Sequence, residues 1–279
     1  MSEHNCMVCG SDKIKHFSLA GWNFFSCGEC KITYLKAIPS DKQVNEFYQT
    51  NYKITSDYYI ETEYRRIFRI PEQIYLIKEI STLKDKPAKL LDIGCDKGYF
   101  LDEARRYGYD VVGVEPSVAA RQYCENLKID CYAELSEIKE KQDIAVMWHS
   151  LEHHINPQKT LKEVNEKLNE NGLIFIRVPD FQCIYRKIFG KKWIWFQPDR
   201  HYWHFSKDSI SILLQNSGFD LIKVQSRKPN NRITKKMNNV SKLTFKKNFA
   251  FKQSLKKRFG RIYEDLTGIE VFAVGRKKS

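Results

Sequence analysis

A short apolar strand running into a glycine turn constrains this chain more than any other feature. Leu90-Leu91-Asp92-Ile93-Gly94-Cys95-Asp96-Lys97-Gly98-Tyr99-Phe100 reads as a strand over Lys89 to Ile93, a turn carrying Gly94 and Gly98, and a helix starting near Tyr99. Glycine at such a junction permits left-handed dihedrals and lets the backbone approach a ligand. The helix start behind it offers unpaired N–H groups to a polar or anionic group. Twenty-three residues after Asp92 comes Glu115, closing a second strand, Val111-Val112-Gly113-Val114. A glycine turn followed at about that distance by an acid is how a βαβ unit grips a ribose through its hydroxyls.

From Ala88 strands and helices alternate. A helix over Ser117 to Leu127 precedes a short strand at Ile129 to Tyr132 and a fourth strand at Asp143 to Met147. A helix from Pro157 to Leu168 leads to a fifth strand, Gly172 to Val178; a helix from Ser206 to Ser217, closed by Gly218, leads to a sixth, Phe219 to Gln225. The seventh, Ile269 to Gly275, follows only after a long interruption. This order predicts an α/β class: a Rossmann-like sheet of seven strands with helices on both faces, filling 88–279. Ahead of it, 39–87 reads as a helical linker or lid. Ser40-Asp41 can cap a helix holding Val44, Phe47 and Tyr48, and Tyr64 to Leu83 is amphipathic, with Pro71 as a kink or break.

The first 38 residues have a different character. Cys6-Met7-Val8-Cys9 and Cys27-Gly28-Glu29-Cys30 are separated by seventeen residues. Two Cys-x-x-Cys pairs at that distance predict a tetrahedral Zn2+ site with Cys6, Cys9, Cys27 and Cys30 as ligands. Strands at Ile14 to Phe17 and Trp22 to Ser26 between the knuckles make it a zinc ribbon, too small to fold without its metal. No general base or open position lies nearby, so the metal is structural. Neither a signal peptide nor a membrane span is expected, which points to the cytoplasm and to cysteines kept as thiols or ligands.

The turn Asp92-Ile93-Gly94-Cys95-x-x-Gly98 resembles the first motif of class I S-adenosylmethionine-dependent methyltransferases, and Val114-Glu115-Pro116-Ser117 resembles their second. Asp96 stands where these enzymes most often have a third glycine; aspartate tolerates left-handed dihedrals better than most residues. The fourth strand ends in Trp148-His149-Ser150-Leu151-Glu152-His153-His154, followed by Asn156-Pro157. That run, with Arg200-His201-Tyr202-Trp203-His204-Phe205-Ser206 and Asn216-Ser217-Gly218-Phe219, is similar to the branch containing ubiquinone-type O-methyltransferases and many sugar and small-molecule methyltransferases. Paired Cys-x-x-Cys knuckles also precede such domains in sugar-modifying members. The resemblance spans Leu90 to Val224 and implies S-adenosylmethionine as cofactor, contacted by Asp92, Gly94, Cys95, Gly98, Glu115, Pro116 and Trp148.

A sulfonium methyl needs an in-line nucleophile and positioning, and a hydroxyl acceptor gains from a general base. The candidates are His201, His149 and His153; Glu152 with its neighbouring histidines offers a divalent-cation site instead. Between Trp193 and Phe205 six of thirteen residues are aromatic, and Trp193, Trp195, Arg200, Tyr202 and Trp203 are expected to form a substrate wall. The leading expectation is methyl transfer to a small molecule or glycan, a sugar of a surface polysaccharide or its precursor. An RNA methyltransferase is the alternative, disfavoured because no Asn/Asp-Pro-Pro-aromatic run follows the fourth strand.

The formal charge is +13, and fourteen Lys or Arg with no Asp or Glu lie between Leu221 and Arg261. The rest of the chain is close to neutral. Interleaved with Phe251, Leu255, Phe259 and Ile262 on one helical face, this insert (227–267) is expected to meet an anionic membrane at the inner face; a phosphate backbone would suit it equally.

Overall fold

The computed structural model describes residues 5–40, 42–44, 46, 70–227 and 269–278. Near the N-terminus β1 (Ile14–Leu19) and β2 (Trp22–Cys27) form a hairpin. Its two-residue turn, Ala20-Gly21, has both residues left-handed at φ 54° and 85°, the twist that matches a tight hairpin. β3 (Thr33–Leu35) adds antiparallel to β2.

The remaining elements are α1 (Ile70–Ser81), β4 (Lys89–Ile93), α2 (Tyr99–Arg106), β5 (Asp110–Val114), α3 (Val118–Asn126), β6 (Cys131–Tyr132) and β7 (Gln142–Trp148). After these come α4 (Pro157–Lys167), β8 (Leu168–Pro179), α5 (Ile184–Phe189), β9 (Trp203–His204), α6 (Lys207–Asn216), β10 (Phe219–Arg227) and β11 (Glu270–Lys277). Capping sets the helix starts: Ser117 Oγ accepts from Ala120 N at 3.3 Å, and Asn156 Oδ1 accepts from Lys159 N at 3.0 Å ahead of Pro157.

Seven strands form one sheet in the order β10-β11-β8-β7-β4-β5-β6, with β11 antiparallel to both neighbours and the other pairings parallel. Central strands β4 and β7 are covered on both faces: Leu90, Leu91 and Ile144 to Met147 are fully buried. From β4 the chain winds outward through β5 and β6, then returns to β7 on the other side. The carboxyl ends of β4 and β7 therefore flank the crevice where open α/β sheets bind ligands. The Rossmann-like seven-stranded α/β architecture is the one expected.

The ribbon is not free-standing. Its sheet has a fourth strand, β9, whose Trp203 and His204 pair with Tyr34 and Thr33. Leu35 N donates to Tyr202 O at 3.0 Å, Ser206 Oγ to Cys30 O at 3.2 Å and Asn216 Nδ2 to Val8 O at 2.9 Å. Phe24, Ile32 and Tyr34 share one buried cluster with Trp203, Phe205 and Ile210. Beside the metal expected there, apolar burial across the joint supplies part of the ribbon's stability.

The expected lid is corrected where it is described. Leu76, Ile77 and Ile80 of α1 are buried against Ala88, Leu90, Phe100 and Leu101, so α1 is core, with Pro71 in its first described turn. The earlier helix over Phe47 and Tyr48, the segment 47–69 and the basic insert from 228 to 268 lie outside the described residues. No described helix is long and apolar enough to cross a membrane.

Candidate active site

The turn after β4 has the left-handed geometry its sequence requires: φ is 78° at Gly94, 50° at Asp96 and 70° at Gly98. A Cβ at Gly94 would lie 2.5 Å from Ser150 Oγ, so the turn presses against the end of β7 and admits no side chain there. Glu115, at the end of β5, is 4% exposed. Its Oε1 accepts from Ser117 N at 2.8 Å and its Oε2 from Asp96 N at 3.1 Å. Burial raises its pKa to about 7, against the opposing Ser117 N–H bond. Each oxygen keeps a lone pair for a hydroxyl.

Asp92 lies beneath the turn, 2% exposed, with Oδ1 buried and without a partner. Burial first, then the Cys124 and Glu115 charges, push its pKa well up. Trp148, edge-on to Phe100 at 5.6 Å, has a buried indole N–H that is also unpartnered. Buried polar groups rarely stay unpaired. Two of them at one glycine turn, beside an acid poised for vicinal hydroxyls, fit a nucleoside cofactor with a polar tail. Of the other expected contacts, Pro116 O accepts from Arg121 Nη1 at 2.9 Å, and Cys95 Sγ lies 3.4 Å from Cys131 Sγ.

The second half of the site follows β7. His149 is left-handed at φ 53°, a strained setting for a residue with a Cβ, and its N–H donates to Arg177 O at 2.9 Å. Its Nε2 is 2.8 Å from Glu270 Oε1, and its Nδ1 is 3.5 Å from Glu152 Oε1, an ion-pair distance rather than a hydrogen bond. Glu270 Oε2 in turn accepts from Arg177 Nε at 2.9 Å and Nη2 at 2.5 Å, and Arg177 Nη2 reaches Glu72 Oε1 at 2.9 Å. Burial alone would lower His149, but Glu270 and Glu152 overcome it and raise the imidazole to about 9. The ring keeps 24% of its surface open, so solvent screens part of this effect without reversing it. His149 thus holds its proton at neutral pH and cannot take one from an acceptor. The expectation of His149 as a general base is corrected to a fixed positive charge.

Glu152, His153 and His201 converge, their ligand atoms within 4.8 Å of one another. His153 Nδ1 lies 2.9 Å from Arg200 O and His201 Nδ1 2.9 Å from Trp195 O. Backbone carbonyls only accept, so both rings carry a proton on Nδ1, and in its neutral form each has its lone pair on Nε2. Burial pushes His201 down to about 4, against the pull of Glu152. Glu152 is fully buried, and neither carboxylate oxygen has a hydrogen-bond partner. Burial would raise its pKa, but His149 and then His153 hold it at about 2. Two histidine lone pairs and one orphaned carboxylate could hold a divalent cation or receive a proton.

The aromatic stretch is mostly core. Trp193, Tyr202 and Trp203 are 1%, 7% and 2% exposed; Trp203 packs on Tyr34 at 5.0 Å and Trp193 on Phe181 at 6.2 Å. Their removal from the expected substrate wall is a correction: the ribbon joint and the loop's own core enclose them. Trp195 remains at the site, stacked on His149 at 4.8 Å with its indole N–H unpartnered, and Arg200 is exposed beside Asp199. The charge chain of Glu270, Arg177 and Glu72 was missed by sequence reasoning. A signal existed: Arg177 breaks an otherwise apolar run, Leu173 to Val178, and a charge there requires a buried partner.

In the ribbon, Cys6, Cys9, Cys27 and Cys30 place four sulfurs within 4.8 Å of one another. The Cys6–Cys30 and Cys9–Cys27 sulfur pairs are each 3.6 Å apart. A tetrahedral Zn–S4 centre with bonds of about 2.3 Å requires about 3.8 Å, so the four thiols fit zinc almost without rearrangement.

The sequence matches the family described as methyltransferase domain over residues 63–224. The ubiquinone biosynthesis O-methyltransferase of Pelagibacter ubique is 36% identical over 104 residues, covering 33% of this chain and 43% of the relative. That of Azorhizobium caulinodans is 28% identical over 101 residues, covering 33% and 40%. The chain thus spans about two fifths of the length of these curated relatives. In fold it is similar to the magnesium protoporphyrin IX methyltransferase of Synechocystis, solved with bound SAH, at a TM-score of 0.53 and 11% identity, covering 86% of this chain and 100% of that one. The match over 63–224 takes in the glycine turn, Glu115 and the histidine run after β7, and through it this chain belongs to the methyltransferase-domain family.

Proposed function

We propose that this protein transfers the methyl group of S-adenosylmethionine to a hydroxyl of a small-molecule or glycan acceptor, with a structural zinc in the ribbon. The observation that carries the reading is the meeting of two half-sites across β4 and β7: a ribose-ready acid at the glycine turn, and a cluster of two histidines with an anionic glutamate beyond it. The cofactor supplies an already activated methyl. Glu115 orients it through the ribose hydroxyls, and Asp92 and the Trp148 indole N–H meet its polar groups. His201 Nε2 takes the acceptor proton; the imidazolium formed is stabilised by anionic Glu152, which offsets the low basicity of a buried ring. Trp195, backed by His149, offers its outer face to a flat acceptor ring, and Arg200 offers hydrogen bonds at the rim. A sugar of a surface polysaccharide or its precursor fits that description; so does a hydroxyl-bearing aromatic ring, in line with the O-methylation in ubiquinone biosynthesis that the relatives' names give.

A second reading is favoured by one observation. Neither oxygen of Glu152 has a hydrogen bond at full burial, which leaves lone pairs for a cation beside the His149 charge. With His153 and His201 it would bind a divalent ion that lowers the acceptor hydroxyl's pKa. The protein would act in the cytoplasm, and its basic insert would bring it to anionic lipid at the inner face of the membrane.

The test offers the full chain labelled S-adenosylmethionine with phenols, sugar nucleotides, lipid-linked glycans and total RNA, with and without a chelator. Label is expected in a phenol or sugar pool and is expected to be lost in His201→Gln. Label entering RNA alone would overturn the acceptor class, and loss on chelation that magnesium restores would select the metal reading.

A further inference from the structure

Three cysteines outside the ribbon lie together beneath the glycine turn, and methyl transfer uses none of them. Cys95 is in the turn itself, Cys124 is on α3 and Cys131 opens β6. Their sulfurs fall within 4.8 Å of one another, and Cys95 Sγ touches Cys131 Sγ at 3.4 Å. The surrounding glycines leave room for them. A Cβ at Gly113, whose backbone is ordinary strand, would lie 2.6 Å from Cys95 Sγ and 3.2 Å from Cys131 Sγ, with Leu101 Cδ1 at 3.0 Å; one at Gly98 would lie 2.8 Å from Cys124 Sγ. Cys95 and Cys124 are 5% and 0% exposed, while Cys131 is half-buried and open to a small reagent.

Two chemistries suit three adjacent thiols: a soft metal ion and a disulfide. The surroundings decide between them. Asp92 and Glu115 are buried beside the cluster, and the upward push that burial gives both carboxyl groups shows that this space disfavours negative charge. A three-thiolate site around a divalent ion carries a net negative charge into that space, whereas a disulfide carries none. Cys131 is the member of the cluster that a reagent can reach, and Cys95 Sγ lies against it at 3.4 Å, placed to displace a mixed disulfide.

We propose that Cys95 and Cys131 form a reversible disulfide with a low-molecular-weight disulfide as oxidant, and that the closed bond weakens cofactor binding. The second half rests on the reading of the glycine turn as the cofactor site. In the first step Cys131 loses its proton to water and its sulfur attacks one sulfur of the reagent, expelling a thiolate that takes a proton up. Cys95 then loses its proton to water and attacks the Cys131 sulfur of the mixed disulfide, expelling the second thiolate, which is protonated in turn. Two thiols and one reagent disulfide become one protein disulfide and two reagent thiols; two electrons and two protons pass to the reagent. The consequence for the cofactor is geometric. The residue after Cys95, Asp96, donates its N–H to Glu115 Oε2, and the residue after Cys131, Tyr132, accepts the Glu115 N–H at 2.9 Å. Drawing Cys95 towards Cys131 displaces the turn relative to the acid that holds the ribose.

Zinc-loaded full chain treated with oxidised glutathione is expected to yield linked peptides containing Cys95 and Cys131. Titration with S-adenosylhomocysteine should then show about tenfold weaker binding, the loss of roughly one hydrogen bond to a charged group. Dithiothreitol should restore the affinity, and Cys131→Ser should bind equally well before and after oxidant. Cys95 and Cys131 remaining separately alkylatable, whether bare or holding an added soft ion, would overturn the proposal. So would a linked pair with unchanged affinity. Reduced protein that binds no S-adenosylhomocysteine would defeat the cofactor reading instead, leaving the peptide linkage to stand or fall by itself.

Discussion

Glu115 offers the sharpest quantitative test, because burial has moved its titration into the working range. Its ordinary value of 4.5 is raised to about 7 in the ligand-free protein. The sign for stability follows: the proton on Glu115 favours the folded state below about 4.5, and that contribution is lost as pH rises through about 7, about 3 kcal/mol in all. Ligand binding runs the other way. Ribose hydroxyls donate better to the carboxylate than to the acid. At about pH 8.5 the group is ~97% ionised and at about pH 5.5 only ~3%, so the affinity for S-adenosylhomocysteine should fall ~30-fold, or about 2 kcal/mol, between them. Calorimetry in buffers of different ionisation enthalpy would also register the proton released on binding in the middle of the window. Glu115→Gln should bind about as weakly at both ends as the wild type does at the acid end. An affinity flat with pH in the wild type, or a slope that survives in Glu115→Gln, would refute the assignment of the ribose to this side chain.

One zinc per chain is expected in protein purified without added metal, and its removal by a chelator should lower the midpoint of thermal unfolding while leaving the seven-stranded sheet folded; elemental analysis and circular dichroism decide. Glu270→Gln leaves buried Arg177 with only Glu72 as counter-charge, so a loss of about 3 kcal/mol is expected in denaturant unfolding, with the His149 imidazole titrating closer to its ordinary value by NMR.

What the sequence revealed and what it hid divide by range along the chain. The turn at Gly94 to Gly98, the acid at Glu115 and the N-caps Ser117, Asn156 and Ser206 are local chemistry, and the expected strands fall within a few residues of those observed. The fifth strand is longer than its apolar run because Leu168 pairs with Gln142 beyond a register irregularity, in which Asn171 is left-handed at φ 61°. Strands β3 and β9 have only three and two residues and no periodicity; what makes them strands is pairing across the chain. The same holds at the site. Trp193, Tyr202 and Trp203 have the composition of a ring-binding face, and only the docking of the ribbon and the loop's packing on Phe181 reveal that they are enclosed. His149 has the residue type of a base but is charged by Glu270, 121 positions further on. A pKa belongs to neighbours in space, and one-dimensional spacing does not show them.

The pairing of β3 with β9 also sets an order of events during synthesis. Between Leu35 and Trp203 lie 167 residues. At ribosomal rates of about 5–20 residues per second, the outer edge of β3 stays without its partner for roughly 8 to 33 s after it emerges. An open strand edge is a template for pairing with another chain. The four cysteines are all made before that interval begins, so metal capture can fix the knuckles while the edge waits. Zinc supply during translation therefore bears on the yield of folded protein even though the finished joint is also held by apolar burial. A fragment ending near residue 38 would keep that edge open permanently, and it should associate with itself in proportion to its concentration.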